Sequence, residues 1–140
     1  MASTFKLDII TPERKFFSGD VESLVINSVD GEMCILKGHM PSVTVLRIGE
    51  LRVKQDGKWQ KYVASEGFVE VRPDETLVFA QTAERPEEVD ISRAKAAKER
   101  AEEKLRQKLS MMEYRQSQIA LSRAMARLRV ANDNNSNLKD

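Results

Sequence analysis

Apolar and polar positions change rhythm once along this chain. Up to about residue 82, short apolar runs recur with a period of two between turn residues. Phe5, Leu7 and Ile9 alternate with Lys6 and Asp8, the signature of a half-buried strand. Further runs cover residues 21–26, 33–36 (after Asp30-Gly31) and 43–48 (after Pro41). Residues 51–54 and 59–64 flank Asp56-Gly57, a two-residue hairpin signal because both turn positions take positive φ. Residues 68–71 and 76–80 flank Pro73-Asp74. Short strands between turn signals predict an antiparallel β-sandwich or barrel. Its expected core draws on Leu7, Ile9, Val25, Ile35, Val45, Val53, Val63, Val69 and Phe79.

Beyond Thr82 the pattern is different. Residues 84–89 lack periodicity and contain Pro86, which reads as a linker. From Asp90 the chain is rich in Ala, Lys, Glu, Arg and Leu, all good helix formers. The Asp90 carboxylate suits a helix start, where orphan N–H groups and the positive dipole end gather. Ala94, Ala97, Ala101, Leu105, Leu109 and Met112 form one stripe; Tyr114, Ser117, Leu121, Ala124 and Leu128 form a second. The break around residues 110–113 predicts a turn centred near 112 between two antiparallel helices of about 20 residues, each about 30 Å long. The expected layout is a sandwich over 1–83, a linker over 84–89, a helical hairpin over 90–131 and a flexible tail over 132–140. At roughly 25 cal/mol per Å² of buried apolar surface, narrow alanine-rich stripes leave the hairpin marginal alone. It is expected to dock reversibly on something larger.

Charge sharpens the division. Residues 1–89 hold 11 Lys/Arg and 15 Asp/Glu, whereas residues 90–130 hold 11 Lys/Arg and 5 Asp/Glu. An acidic half joined to a basic half predicts two modules with different partners. No apolar run approaches the roughly 18 residues of a membrane-spanning helix. The first residues lack the basic start and apolar core of a signal peptide, which predicts a cytoplasmic chain. Cys34 is the single cysteine and His39 the single histidine, so neither a triad nor a cysteine metal cluster is legible. There is no Gly-rich phosphate loop ending in Lys-Ser or Lys-Thr. These features argue against an enzyme and predict no required cofactor. A basic helical nucleic-acid-binding module is the alternative that the charge of 90–130 suggests. Glu99, Glu102 and Glu103 interrupt that surface, and no interleaved aromatic platform exists, so no nucleic-acid partner is expected.

A set of strings runs the length of the chain in order. They are Thr11-Pro12-Glu13-Arg14, Phe17-Ser18-Gly19-Asp20-Val21-Glu22-Ser23, Gly31-Glu32-Met33, Gly38-His39-Met40-Pro41 and Gly49-Glu50-Leu51-Arg52-Val53. Gly67-Phe68-Val69-Glu70-Val71, Thr82-Ala83-Glu84-Arg85, Val89-Asp90-Ile91-Ser92-Arg93-Ala94 and Arg123-Ala124-Met125-Ala126-Arg127-Leu128 complete it. With their spacing they resemble the epsilon subunits of bacterial F-type ATP synthases. The resemblance implies a ten-stranded β-sandwich followed by a two-helix hairpin. It implies a sandwich that binds the gamma subunit and the c-ring, and turns with the rotor. It also implies a hairpin that reaches, when extended, into the alpha/beta catalytic head and hinders ATP hydrolysis. Membrane association is then expected only through the complex, at the cytoplasmic face. Glu32 and the Gly38-His39 loop match the rotor-facing edge, although Cys34, Lys37 and Met40 stand where the family commonly has Gly, Pro and Ala.

The resemblance further implies a regulatory ATP on the compact hairpin. Val89, Asp90, Arg93 and Ala94 match that motif, with Val89 in place of a larger aliphatic; Glu84, Arg100, Arg123 and Arg127 match its charged positions. The residues themselves allow two readings. With a turn near 112, position 100 comes level with about 124 and position 97 with about 127, so Arg100, Arg123 and Arg127 gather within one helical turn. Guanidiniums so gathered suit phosphates. Periodicity alone equally describes a solvated basic face, with Asp90 a helix cap and Glu84 a linker charge.

Overall fold

The computed structural model describes the backbone of residues 3–139, with side chains as far as Asp133. Two compact units divide at Glu84: residues 1–84 and 85–140.

The first unit is a sandwich of ten strands. They are β1 Phe5–Ile10, β2 Lys15–Val21, β3 Ser23–Ser28, β4 Gly31–Ile35, β5 Ser42–Leu46, β6 Gly49–Gln55, β7 Lys58–Ala64, β8 Gly67–Val71, β9 Glu75–Ala80 and β10 Ala83–Glu84. One sheet runs β2-β1-β9-β8-β5 and the other β10-β7-β6-β3-β4. Neighbours pair antiparallel except β1 and β9, which run parallel. The Asp56-Gly57 hairpin forms as the sequence predicts, with φ of 52° and 76° at the two turn residues. Thr11 closes the β1–β2 turn: its Oγ1 donates to the Arg14 carbonyl (3.1 Å) and accepts from the Arg14 N–H (3.2 Å).

β2 has no counterpart in the sequence reading. A register shift at Ile9/Ile10 breaks the period-two pattern, and Ser18-Gly19-Asp20 looks like a turn although it pairs with β1. The core is Leu7, Ile9, Val21, Leu24, Ile26, Ile35, Leu46, Leu51, Val53, Val69 and Val78, with Phe16 packed edge-on against Tyr62. Leu7, Ile9, Ile35, Val53 and Val69 occupy the expected places. Val45 is 57% exposed, and Leu46 beside it fills the core instead. Val78 likewise takes the inward position expected of Phe79, which stacks on Phe68 with ring centroids 4.8 Å apart. Val25 and Val63 are buried but lie outside the core cluster that holds Leu24, Ile26 and Tyr62. Apolar residues of both parities fill these strands, so alternation leaves their phase open, and a slip of one residue turns every side chain over.

The second unit opens with a 3₁₀ turn, Pro86–Glu88, and Glu84 ends strand β10, so residues 84–89 are ordered where the pattern predicts a linker. Helix α1 spans Ile91–Leu105 and α2 spans Met111–Lys139. Asp90 caps α1 through its Oδ1, which accepts from the Arg93 N–H at 3.1 Å. Ser110 and Glu113 form a reciprocal pair at the start of α2. The Ser110 hydroxyl accepts from the Glu113 N–H (3.2 Å) and donates to the Glu113 carboxylate (3.0 Å). That cap sets the turn at residues 106–110, several residues before the expected centre at 112. It also makes the helices unequal, at 15 and 29 residues. α2 continues through 132–139, where composition predicts a tail; each residue added to a nucleated helix gains a bond without a new nucleation cost. Asp140 lies outside the described residues.

Candidate functional site

Two regions gather the candidate residues. In the sandwich, β4 and β5 are the edge strands of their sheets. Residues 36–41 join them, and the Arg47 N–H donates to the Asn27 carbonyl at 2.8 Å. Both open edges therefore border one side of the sandwich. Val29, Leu36, Met40, Val43, Val45 and Phe68 lie along this side with exposures of 43–74%. Exposed large apolar side chains beside unpaired strand edges are costly in an isolated protein and mark a surface for a partner.

Glu32 and the Gly38-His39 loop lie at opposite ends of β4, on this border. Gly38 takes φ +85°, which lets the chain turn sharply. His39 Nδ1 lies 2.8 Å from the Met40 carbonyl, a contact that requires the nitrogen to donate. Glu32 is held from β6: Arg52 donates to both of its oxygens, at 3.0 and 3.2 Å, and also to Glu50 at 3.1 Å. The hydrogen bond to Glu32 is the largest cause raising the Arg52 pKa, with Glu50 adding to it against a partial burial cost. Nothing in the sequence names Arg52 as the partner of Glu32, because the contact spans two strand spacings and needs the sheet order β6-β3-β4.

In the second unit Asp90 is exposed, Val89 and Ala94 are buried, and Arg93 and Arg100 are exposed on α1. Arg123 and Arg127 are half-buried on α2, and both have interaction partners. Glu84 belongs to the first unit. The earlier turn changes the expected levels. Arg100 shares a cavity with Gln116, Ser117 and Ala120, so it faces α2 well before Arg123. From Ser117 to Arg123 and Arg127 the rise is roughly 9 and 15 Å, and Arg100 lies about 10 Å along α1 from Arg93. By the same count Arg93 comes level with Arg123, and the fully buried pair Ala94 and Ala124 sits beside them. Arg93, Arg123 and Arg127 thus share the Asp90 end of the hairpin, while Arg100 stands toward the turn. The signal that places the turn is Ser110-x-x-Glu113, legible in the sequence as a capping box.

Among the described residues no group of His, Cys, Asp and Glu is arranged to hold a metal. Cys34 is a free, exposed thiol on β4.

Comparison with known proteins matches two family models end to end. The delta/epsilon chain β-sandwich domain of ATP synthase covers residues 4–86, and the delta/epsilon long α-helix domain covers residues 87–132. The ATP synthase epsilon chain of Ruminiclostridium cellulolyticum is 52% identical over 130 residues, 93% of this chain and 97% of its own. That of Caldanaerobacter subterraneus subsp. tengcongensis is 49% identical over 132 residues, 94% of this chain and 96% of its own. Among solved structures, a chain in the OSCP/F1/c-ring assembly of Euglena gracilis mitochondrial ATP synthase superposes with a TM-score of 0.79. Its identity is 27%, and the match covers 90% of this chain and 80% of that one.

Proposed function

The chain belongs to the delta/epsilon family of ATP synthase subunits, and from that premise we propose that it is the non-catalytic central-stalk subunit of a proton-translocating F-type ATP synthase, with no active site of its own. The sandwich seats on the rotor, joining the gamma subunit to the c-ring, and turns with them. The helical hairpin regulates: extended toward the alpha/beta catalytic head it hinders ATP hydrolysis. The protein works at the cytoplasmic face of the cell membrane, held there by the complex; no helix among its described residues is long and apolar enough to cross a bilayer.

The observation that carries this reading is the sandwich side bordered by β4 and β5, where Val43 and Val45 of the edge strand β5 and Phe68 of its neighbour β8 are exposed. A rotor partner covering it removes apolar surface from water and protects both edges. Glu32, held by Arg52, and His39 are polar groups along the same border. The test is co-purification with gamma and the c-ring. Val43→Glu with Val45→Glu places two charges on exposed positions; it is expected to leave the sandwich folded and abolish binding. Unaltered binding overturns this assignment of the interface. Deleting residues 90–140 is expected to preserve coupled assembly while relieving inhibition of hydrolysis, and loss of assembly overturns the division of labour between the units.

Regulatory ATP binding by the hairpin is the finer part of the proposal. Its residues in the second unit are Val89, Asp90, Arg93 and Ala94 with Arg123 and Arg127 at the Asp90 end of the hairpin and Arg100 farther toward the turn; Glu84, the acidic position of the motif, ends β10 in the first unit. A ligand that favours the closed hairpin stabilises it by its differential affinity for the two states. Calorimetric titration with ATP tests this, and an Arg127→Ala variant that binds as tightly as the parent overturns the cation cluster.

A further inference from the structure

Leu7, Ile9, Leu46, Val69 and Val78 point into the core, so the residues between them on β1, β5, β8 and β9 face outward. The register sets three of these, Ile10, Phe79 and Phe68, side by side across β1, β9 and β8. The two phenyl rings stack, with centroids 4.8 Å apart. A cavity of about 300 Å³ opens at this row, with apolar walls from Ile10, Pro12, Phe68, Phe79 and Ala80. Glu66 is the one charged residue on its lining. Its carbonyl accepts from the Gln81 N–H at 3.1 Å, which fixes this end of β8 to β9. Glu66 has an interaction partner, and its Oε2 is buried without a hydrogen-bond donor among the described residues. The next outward row carries Asp8, Leu77 and Glu70. Asp8 is only 5% exposed, its Oδ1 also lacks a donor, and Lys15 Nζ stands 3.8 Å from its Oδ2. Arg72 matches Glu70, at 3.0 and 3.2 Å. The apolar row thus lies between two carboxylates, Glu66 on one side and Asp8 on the other, whose charge water screens poorly.

We propose that this cavity is a binding site for a small organic cation with a planar apolar body, such as an aryl amidinium, guanidinium or ammonium. The body lies against Ile10, Phe68 and Phe79, and the charged head lies at the Glu66 end. The volume suits one ring and one charged group, at the small end of the roughly 300–1,000 Å³ of ligand pockets. The faces of the stacked phenyl rings attract a cation. Glu66 and Asp8 add attraction of the same sign. A neutral ligand of the same shape gains the apolar burial but neither electrostatic contribution. An anion is repelled by the rings and by both carboxylates. That difference sets the chemical class of the ligand. Every group named belongs to the first unit, so the site rests neither on the rotor reading nor on nucleotide binding by the hairpin.

The test is titration of the full chain with benzamidine, followed residue by residue through amide chemical shifts. Benzamide is the neutral isostere and benzoate the anion. Benzamidine is expected to bind with a millimolar Kd and to shift the amides of Gly67, Phe68 and Phe79 first. Benzamide is expected to bind about tenfold more weakly and benzoate not at all. Glu66→Gln keeps the shape of the wall and removes its charge. It is expected to weaken benzamidine about fivefold and to leave benzamide unchanged. Phe68→Leu keeps an apolar wall without a π-face and is expected to weaken benzamidine about threefold. The emission of Trp59 checks that each variant folds. Where Glu66→Gln does not fold, Asp8→Asn replaces it, with about a twofold loss expected. Benzamide binding as tightly as benzamidine overturns the proposal, as does benzamidine binding indifferent to the loss of the carboxylate. Absence of shifts at Gly67, Phe68 and Phe79 at tens of millimolar benzamidine overturns it too.

Discussion

Replacing Gly67 by alanine tests the packing of the sandwich at its tightest point. Gly67 opens β8 between Leu46 of β5 and Ala80 of β9. A Cβ built there falls inside the van der Waals envelope of the Phe79 carbonyl oxygen, 2.7 Å from the Phe79 carbonyl carbon and 2.9 Å from the Ala80 Cα. Carbon atoms prefer separations of about 3.5–4.0 Å, and the carbonyl oxygen is closer still, so β9 must retreat by at least about 1 Å. That retreat stretches a ladder hydrogen bond from about 2.9 to about 3.9 Å, beyond bonding range. Two such bonds at about 1 kcal/mol each, added to an overpacking cost of about 1–3 kcal/mol, put the loss at about 3–5 kcal/mol. Gly19→Ala is the control. Its Cβ meets the Gln55 amide nitrogen at 3.0 Å, the far end of a flexible side chain, so a change within about 1 kcal/mol is expected. Thermal unfolding followed by the emission of Trp59, the only tryptophan, reports on the same unit. At about 4–8 °C per kcal/mol for a domain of this size, Gly67→Ala melts at least about 12 °C below the parent. Melting of the two variants within about 4 °C of each other refutes the reasoning.

Three further outcomes follow from the helix caps and the Glu32 pair. Asp90→Ala removes the acceptor of the Arg93 N–H and costs the first turn of α1 about 1 kcal/mol, read as amide exchange at Arg93 about five times faster; Asp90→Asn keeps the cap and the rate. Ser110→Ala frees the Glu113 N–H and lowers helical circular dichroism on heating earlier than in the parent, by an amount consistent with a lost cap of about 1 kcal/mol. Arg52→Met breaks a largely solvent-screened pair, so its stability changes by less than about 1 kcal/mol and the difference shrinks further in high salt. A large, salt-independent loss in that variant assigns Arg52 a packing role instead.

Local chemistry was legible where one residue type forces one geometry. Asp56-Gly57 takes the positive φ values that its turn requires, Asp90 caps α1 as a carboxylate before a helical run does, and the change of period after residue 82 separates strands from helices. The candidate site residues were named by motif from the family resemblance, whereas the exposed side chains along β5 carried no signal in the sequence. Valine at 43 and 45 reads as core to any count of apolar residues, yet both face outward because Leu46 takes the core position. The position of Arg100 failed for a related reason. The apolar stripe through Leu109 and Met112 continues the helical period past the true end of α1, and only the Ser110–Glu113 cap stops it.

The amino-acid sequence by itself determined the two modules, their secondary-structure types, their opposite charges and the residues able to cap, turn or carry charge, because propensity and hydrogen-bonding chemistry act over a few neighbouring residues. Tertiary structure alone decided which face of each strand looks inward, that β4 and β5 open on the same side, that Arg52 reaches Glu32, and that Arg100 faces Ser117 rather than the Arg123 region. Those outcomes depend on strand order, register and the level of a turn. Such quantities are set by which distant surfaces pack best together, so a local pattern of apolar and polar residues leaves them open.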